Sequence, residues 1–196
     1  MYRALNSVFF LYIIMSIPSY DLVADLWQAD RYYAQMMHTS GVVSVLLLGL
    51  SLTVTPAIRL LKHLPIGIVL GRWLLIRRRH FGLGSFYYAS LHLIHYIRQV
   101  EDLELVAYEA LDFELAIGWF AFMIFAALAI TSNKASQKYM KAKWKRLHKL
   151  TYLGTIFTFT HWLLFDFFLE QALIWLAALV VIKAIHIWIY YMRKTA

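Results

Sequence analysis

Six apolar stretches alternate with polar ones along the chain. They run roughly over Leu5–Tyr20, Gly41–Leu61, Phe81–Ile97, Phe113–Ile130, Leu150–Leu169 and Ala172–Tyr191. Most approach the ~20 residues an α-helix needs to cross a bilayer, while the first and third are shorter and need interfacial residues to complete a span. Inside hydrocarbon each backbone amide must find its partner within the protein, so helices are expected. These stretches do not alternate as the roughly ten-residue strands of a membrane β-barrel do. The pattern predicts an all-α, polytopic six-helix bundle forming a single domain over residues 1–196. The first apolar run, Val8 to Ile17, leads into a polar stretch without a small-residue cleavage site, so it reads as a short span rather than a signal peptide.

The charges give the bundle an orientation. The first connection carries Asp21, Asp25 and Asp30 with Arg31, and the third carries Glu101, Asp102, Glu104, Glu109, Asp112 and Glu114 with Arg98. The fifth carries Asp166 and Glu170. Between them, Arg59, Lys62, Arg72, Arg77, Arg78 and Arg79 fill the second connection without an acid. Lys134, Lys138, Lys141, Lys143, Lys145, Arg146 and Lys149 do the same in the fourth, and Arg193 and Lys194 follow the last run. Basic connections stay on the cytoplasmic side. Both termini are therefore expected inside, and all eleven acids outside. A shift by one helix would scramble this alternation.

Composition adds to this reading. The chain is 62% hydrophobic and only 15% charged, which calls for lipid as the solvent over much of its surface. The net charge of +8 does not point to nucleic acid, because its basic clusters flank the spans, where anionic lipid headgroups are the natural partners. There is no cysteine, which excludes disulfides, thiolate metal sites and cysteine nucleophiles, so any redox chemistry needs a bound cofactor.

Histidine dominates the polar residues of the spans. Of the eight, His38, His63 and His80 read as interfacial, whereas His92, His95, His161 and His186 fall at membrane depth, where an ionisable group marks function. A haem held between helices by two imidazoles would satisfy such groups; a hydrogen-bonded core histidine is the plainer alternative for any one of them. Counted from Phe81, His92 lies roughly 16 Å along its helix, and His161 lies roughly 21 Å from Leu147, so the two are near one level. His95, one turn further, matches His161 more closely. His148 precedes His161 by thirteen residues, roughly 20 Å along an axis, room for two stacked haems, but on a straight helix the two point roughly 140° apart. A shared face would need a bend, for which Gly154 is a candidate. Ser90 near His92 does not resemble an activated nucleophile.

Several segments carry a resemblance: His38-Thr-Ser-Gly41; Val54-Thr-Pro-Ala-Ile-Arg59; Leu75-Ile-Arg-Arg-Arg-His-Phe-Gly-Leu83 leading into Tyr88-Ala-Ser-Leu-His-Leu-Ile-His-Tyr96; Ala127-Leu-Ala-Ile-Thr-Ser132; and Trp144-Lys-Arg-Leu-His-Lys-Leu-Thr-Tyr152 followed by Thr160-His-Trp162. Over residues 38–162 the chain resembles the ferric-reductase-like transmembrane family, and within it the haem-binding membrane subunits of bacterial periplasmic methionine sulfoxide reductase systems. The resemblance implies haem iron ligation by His92, His148 and His161, with one b haem or two, in a multi-pass protein of the bacterial inner membrane. It implies a flavin reductase or quinol as electron donor, and a periplasmic acceptor protein. The chain would be an electron-transfer subunit of an oxidoreductase system rather than a stand-alone enzyme. His95 and His186 stand outside the family motif, as extra ligands, propionate partners or core residues. Arg77, Arg78 and Arg79 can neutralise haem propionates or the phosphate of FMN, although simple anchoring on the cytoplasmic side explains them as well. Gly82 and Gly84 would let a porphyrin approach the backbone, and Tyr87, Tyr88, Tyr96 and Trp162 would line its pocket; helix packing accounts for the same residues.

Two other roles fit the same pattern. One is an accessory subunit of a larger respiratory or photosynthetic complex, with or without haem. The other is a transporter or proton channel using the membrane-depth histidines, which lacks the paired broken helices of many transporters.

Overall fold

A computed structural model describes residues 7–25, 33–61, 65–165 and 169–195. Leu5, Asp30, Arg31, Lys62, His63 and Asp166 lie outside the described residues, as do the side chains of Asp25, Arg59, His186, Arg193 and Lys194. Among the described residues the secondary structure is all helical: α1 (Val8–Ser16), α2 (Ser19–Asp25), α3 (Tyr33–Leu61), α4 (Pro65–Val100), α5 (Leu103–Glu109), α6 (Phe113–Ile130), α7 (Lys134–Met140), α8 (Ala142–His148), α9 (Leu150–Leu164) and α10 (Leu169–Thr195). Two stretches, Ala34–Ile58 in α3 and Phe113–Ile130 as α6, are long and apolar enough to cross a membrane by themselves.

Three expectations about element boundaries change. The first apolar run is two short helices, because Pro18 lacks the amide needed to continue α1, and tighter bonds from Ile17 to Ile14 and from Tyr20 to Ile17 turn the chain there. The third run is the C-terminal half of a much longer helix. The 36 residues of α4 span about 54 Å, and Arg72 and Arg77–Arg79 sit on the helix rather than in a loop. Arginine is a good helix former, so a basic run interrupts hydropathy without interrupting the helix. The acidic and basic connections also fold locally. Asp102 caps α5 through its Oδ1, which accepts from the amides of Glu104 and Leu105, and Asn133 caps α7 by accepting from Ser136.

Two antiparallel helix pairs organise the rest. Helices α3 and α4 form the more extensive pair, and their contacts recur every seven residues on both strands of the hairpin. Ile58 packs where Gly71 leaves room, Arg78 Nε donates to the Ser51 carbonyl at 2.9 Å, Ser44 Oγ donates to the Ser85 carbonyl at 2.9 Å, and His92 Nδ1 meets the Met37 carbonyl at 2.9 Å. A seven-residue repeat is the seam of a left-handed coiled pair. Pro56, fully buried, sits inside α3 without ending it. The second pair is α6 with α9, where Gly118 lies under His161 and, seven residues on, Gly154 lies under Phe125. Phe86 of α4 and Phe122 of α6 join the pairs with ring centroids 5.4 Å apart. Helix α10 packs on α3 and α9, and α1 is tied to α4 by the Tyr88 hydroxyl donating to the Met15 carbonyl.

The outward faces are apolar. Phe120, Met123 and Ile130 of α6 and Ile174, Val180 and Ile187 of α10 are exposed. Side chains of this size and number on the outside of a bundle suit a lipid environment.

Candidate functional site

The site lies where the two helix pairs meet. His92 comes from α4 and His161 from α9, and their rings stand edge to face, 85° apart in plane, with centroids separated by 6.3 Å. Each imidazole is held in the same manner by the helix it is paired with. His92 Nδ1 is 2.9 Å from the Met37 carbonyl of α3, and His161 Nδ1 is 2.8 Å from the Glu114 carbonyl of α6. A carbonyl only accepts, so each Nδ1 carries the proton and each Nε2 keeps its lone pair for a metal. In both cases the residue four positions after the carbonyl is glycine, Gly41 and Gly118, and the histidine ring occupies the space its missing side chain leaves.

The expected common depth of the two histidines is therefore met. It is His92, rather than the better depth match His95, whose ring faces His161; His95 is buried on the same helix, 1% exposed. No group of three or more histidine, cysteine, aspartate or glutamate side chains among the described residues is arranged to hold a metal ion. The arrangement at the junction is a pair of imidazoles, which suits a metal that brings its remaining ligands with it.

His148 occupies the other end of α9's side of the bundle. It closes α8, and the chain is not one straight helix from there to His161. Lys149 breaks it, with short-range bonds from Lys149 to Arg146 and from Tyr152 to Lys149. The straight-helix angle between His148 and His161 thus assumes a continuity that the chain interrupts at Lys149. Trp144 stacks on the His148 ring at 3.9 Å and donates its Nε1 to the Thr131 carbonyl, while His148 Nε2 lies 3.4 Å from Thr131 Oγ1. A cavity of about 200 Å³ opens beside it, lined among others by Arg78, Lys145, Lys149 and Tyr152. Burial, with the Arg78 guanidinium adding to it, pushes the His148 imidazole below its ordinary pKa, which keeps it neutral.

The other sequence candidates scatter. Arg78 reaches the His148 cavity while donating to Ser51 of α3. Arg77 is turned inward, 3% exposed, with its guanidinium 4.2 Å over the Trp73 ring. Gly84 makes room for Met15, and Gly82 faces open space. Tyr87 and Tyr88 line a groove against α1, Tyr96 donates to Glu109 at 2.6 Å, and Trp162 stacks on Phe159. Sequence reasoning missed Gly118 and the two carbonyl acceptors. A lone glycine in an apolar helix gives no signal of which ring it faces, and backbone acceptors have no sequence signature.

A helical bundle with an apolar exterior and a histidine pair at the meeting of two antiparallel helix pairs defines a membrane protein with an imidazole site. The family model described as ferric reductase like transmembrane component matches residues 40–159, and the chain belongs to that family. The matched segment includes Gly41, His92, Gly118 and His148, and it ends two residues before His161. Among curated proteins the chain is similar to the protein-methionine-sulfoxide reductase heme-binding subunit MsrQ of Cronobacter sakazakii, 36% identical over 143 residues, covering 70% of this chain and 66% of the relative. The protein of the same name from Pectobacterium atrosepticum is 32% identical over 142 residues, 70% and 67% of the two chains. That of Xanthomonas campestris pv. campestris is 29% identical over 164 residues, 79% and 69%. The chain thus spans about two-thirds of the length of these relatives. No solved structure matches it.

Proposed function

We propose that this chain is a b-type cytochrome of the bacterial inner membrane, binding haem between His92 and His161 and passing electrons to a periplasmic acceptor such as a methionine sulfoxide reductase. The facing histidine pair, ring centroids 6.3 Å apart, carries this reading. His92 and His161 would hold the iron through their Nε2 nitrogens. A porphyrin would bring the iron's remaining nitrogen ligands. The names of the relatives, heme-binding subunits, support the same cofactor.

Haem iron held by two imidazoles supplies one-electron transfer. The protein's part is to bind and to orient. The Met37 and Glu114 carbonyls fix the tautomer of each ring and raise the basicity of its Nε2. The apolar helices around the pair exclude water and set the dielectric, which tunes the potential. His92 and His161 lie towards the end of the bundle where α3 and α6 begin, next to the acidic segment that charge assigns to the outside. His148 lies towards the basic end. In a six-span, N-in and C-in arrangement this puts the pair near the periplasmic face, where an acceptor protein would dock. His148 with Arg78, Lys145 and Lys149 lies near the cytoplasmic face, where a cationic cavity suits a second haem's propionates or FMN phosphate. A flavin reductase or a quinol would then deliver electrons.

The test is a reduced-minus-oxidised spectrum of the purified protein with haem quantified per chain, repeated for His92→Ala and His161→Ala. The reading requires a b-type α-band in the parent and its loss in both variants. Full haem in both variants would refute it.

A further inference from the structure

The two histidines share one construction. In α3 the acceptor carbonyl belongs to Met37 and the glycine is Gly41; in α6 they are Glu114 and Gly118. Four residues along a helix place the second directly over the carbonyl of the first, because that carbonyl points at the amide four residues on. Any side chain at the second position would stand between an incoming ring and that carbonyl. Glycine removes the obstacle, and the ring lies in the gap with its Nδ1 on the oxygen.

The tolerances differ between the two. A methyl group at position 41 would lie 3.3 Å from Nδ1 and 3.6 Å from Cε1 of His92. At position 118 it would lie 2.8 Å from both Cε1 and Nδ1 of His161 and 3.2 Å from Cγ. The first is a tight contact that a small movement relieves. The second requires the ring to leave its place, and with it the bond to Glu114. Gly118 therefore constrains His161 more than Gly41 constrains His92. Gly71, Gly84 and Gly154 are also close-packed, but against the apolar side chains of Ile58, Met15 and Phe125 rather than an imidazole. A methyl group at Gly49 would meet Leu179 at an ordinary 3.8 Å, and one at Gly82 would meet nothing within 4 Å.

We propose that Gly41 and Gly118 are positioning residues for the metal-binding imidazoles, each opening a helix groove so that a backbone carbonyl can hold its histidine in the tautomer that presents Nε2. This rests on the haem reading above, but the cradle itself is a property of the protein without cofactor. A histidine whose Nδ1–H is lost to a displaced ring has a free choice of tautomer and a mobile Nε2. Loss of an outer partner of this kind typically lowers metal affinity by about 10–100-fold.

The experiment compares Gly118→Ala, Gly41→Ala and Gly49→Ala in the full chain, purified from membranes, alongside His92→Ala and His161→Ala. Haem affinity, the low-spin electron paramagnetic resonance signal and the midpoint potential are measured on the loaded protein. The nitrogen-15 resonances of the imidazoles are measured on the haem-free protein. Gly118→Ala should lose about ten-fold or more in haem affinity, shift the low-spin signal, and lose the Nδ1-protonated resonance of one histidine in the haem-free state. Gly41→Ala should shift the signal and the potential in the same direction by less, while Gly49→Ala should match the parent. If Gly118→Ala and Gly41→Ala match Gly49→Ala in all these readouts while the two histidine variants lack haem, the positioning role is overturned and the haem reading stands. If the histidine variants keep haem, the haem reading fails, and the nitrogen-15 resonances alone decide. Their persistence in Gly118→Ala overturns the cradle; their loss supports it. Should Gly118→Ala not accumulate in the membrane, the milder Gly41→Ala carries the comparison by the same criteria.

Discussion

His92 and His161 lie 69 residues apart in the chain, yet their rings meet edge to face with centroids 6.3 Å apart. Each belongs to a different antiparallel helix pair, and each is bonded to its own pair rather than to the other histidine. The junction between the pairs is therefore set by packing elsewhere, including Phe86 against Phe122. The imidazoles do not need one another to hold their positions. A cofactor entering between them would meet ligands already oriented, which lowers the ordering cost of binding.

His95 separates ligation from burial. It lies three residues from His92 on α4, almost fully buried. His95→Ala should keep the parent haem-to-chain ratio and α-band, because its ring is not the one that faces His161. It should lower thermal stability by about 2–4 kcal/mol through the cavity it leaves. Haem titration and melting of the purified variant check both. Loss of haem at unchanged stability would mean that His95 rather than His92 is the ligand.

The helices were legible in the sequence wherever hydropathy and helix coincide, as for Phe113–Ile130, whose bounds are those of α6. They were not legible where charge sits on a helix. Arg72 and Arg77–Arg79 read as loop, yet they ride on α4, where Arg78 is one rung of the α3–α4 seam. That seam is visible in hindsight as Gly71, Arg78, Ser85 and His92 at steps of seven, facing Ile58, Ser51, Ser44 and Met37. Only Ile58 and Met37 of these eight are large and apolar, so a search for apolar heptads passes over it. The family motif pointed to His92 rather than His95, but depth alone did not. Depth along a helix admits either, and the direction of α4's face against α9 distinguishes them.

His148 should be separable from the pair. It is held against Trp144 and Thr131 on the basic side, well away from His92 and His161. His148→Ala should therefore leave the α-band of the His92–His161 haem and its low-spin signal in place, with any loss confined to a second haem. The measurement is haem per chain together with the spectrum at both oxidation states. Disappearance of the whole band would show that His148 belongs to the same iron site as one of the pair.

The acidic segment is tied to α4 by a bond that can be cut cleanly. Tyr96 near the end of α4 donates to Glu109 Oε2 at 2.6 Å, and Glu109 closes α5. A hydrogen bond to a charged group is worth about 1.5 kcal/mol or more, a factor of about ten in a local opening equilibrium. Tyr96→Phe should speed amide exchange over Leu103–Glu109 about ten-fold and leave the haem spectrum unchanged. Unchanged exchange would mean that the buried Val106, rather than this bond, holds α5 in place.

Topology is the expectation on which the direction of electron flow depends, and the chain offers a direct way to test it. It has no cysteine, so any single introduced cysteine is its sole thiol. Glu104 on α5 and Lys138 on α7 are both exposed, and α6 runs between the segments that carry them. The 18 residues of α6 reach about 27 Å, close to the ~30 Å of hydrocarbon they would have to cross. If α6 spans and the acidic side is outside, a membrane-impermeant maleimide should label Glu104→Cys in intact spheroplasts and Lys138→Cys only after the membrane is opened. The opposite pattern would invert the bundle and put the His92–His161 pair at the cytoplasmic face. Labelling of both from outside would mean that α6 does not span, and the six-helix arrangement would fall with it. The pattern expected here places the histidine pair nearest the compartment of the acceptor and His148 nearest that of the donor, the order that outward electron transfer needs.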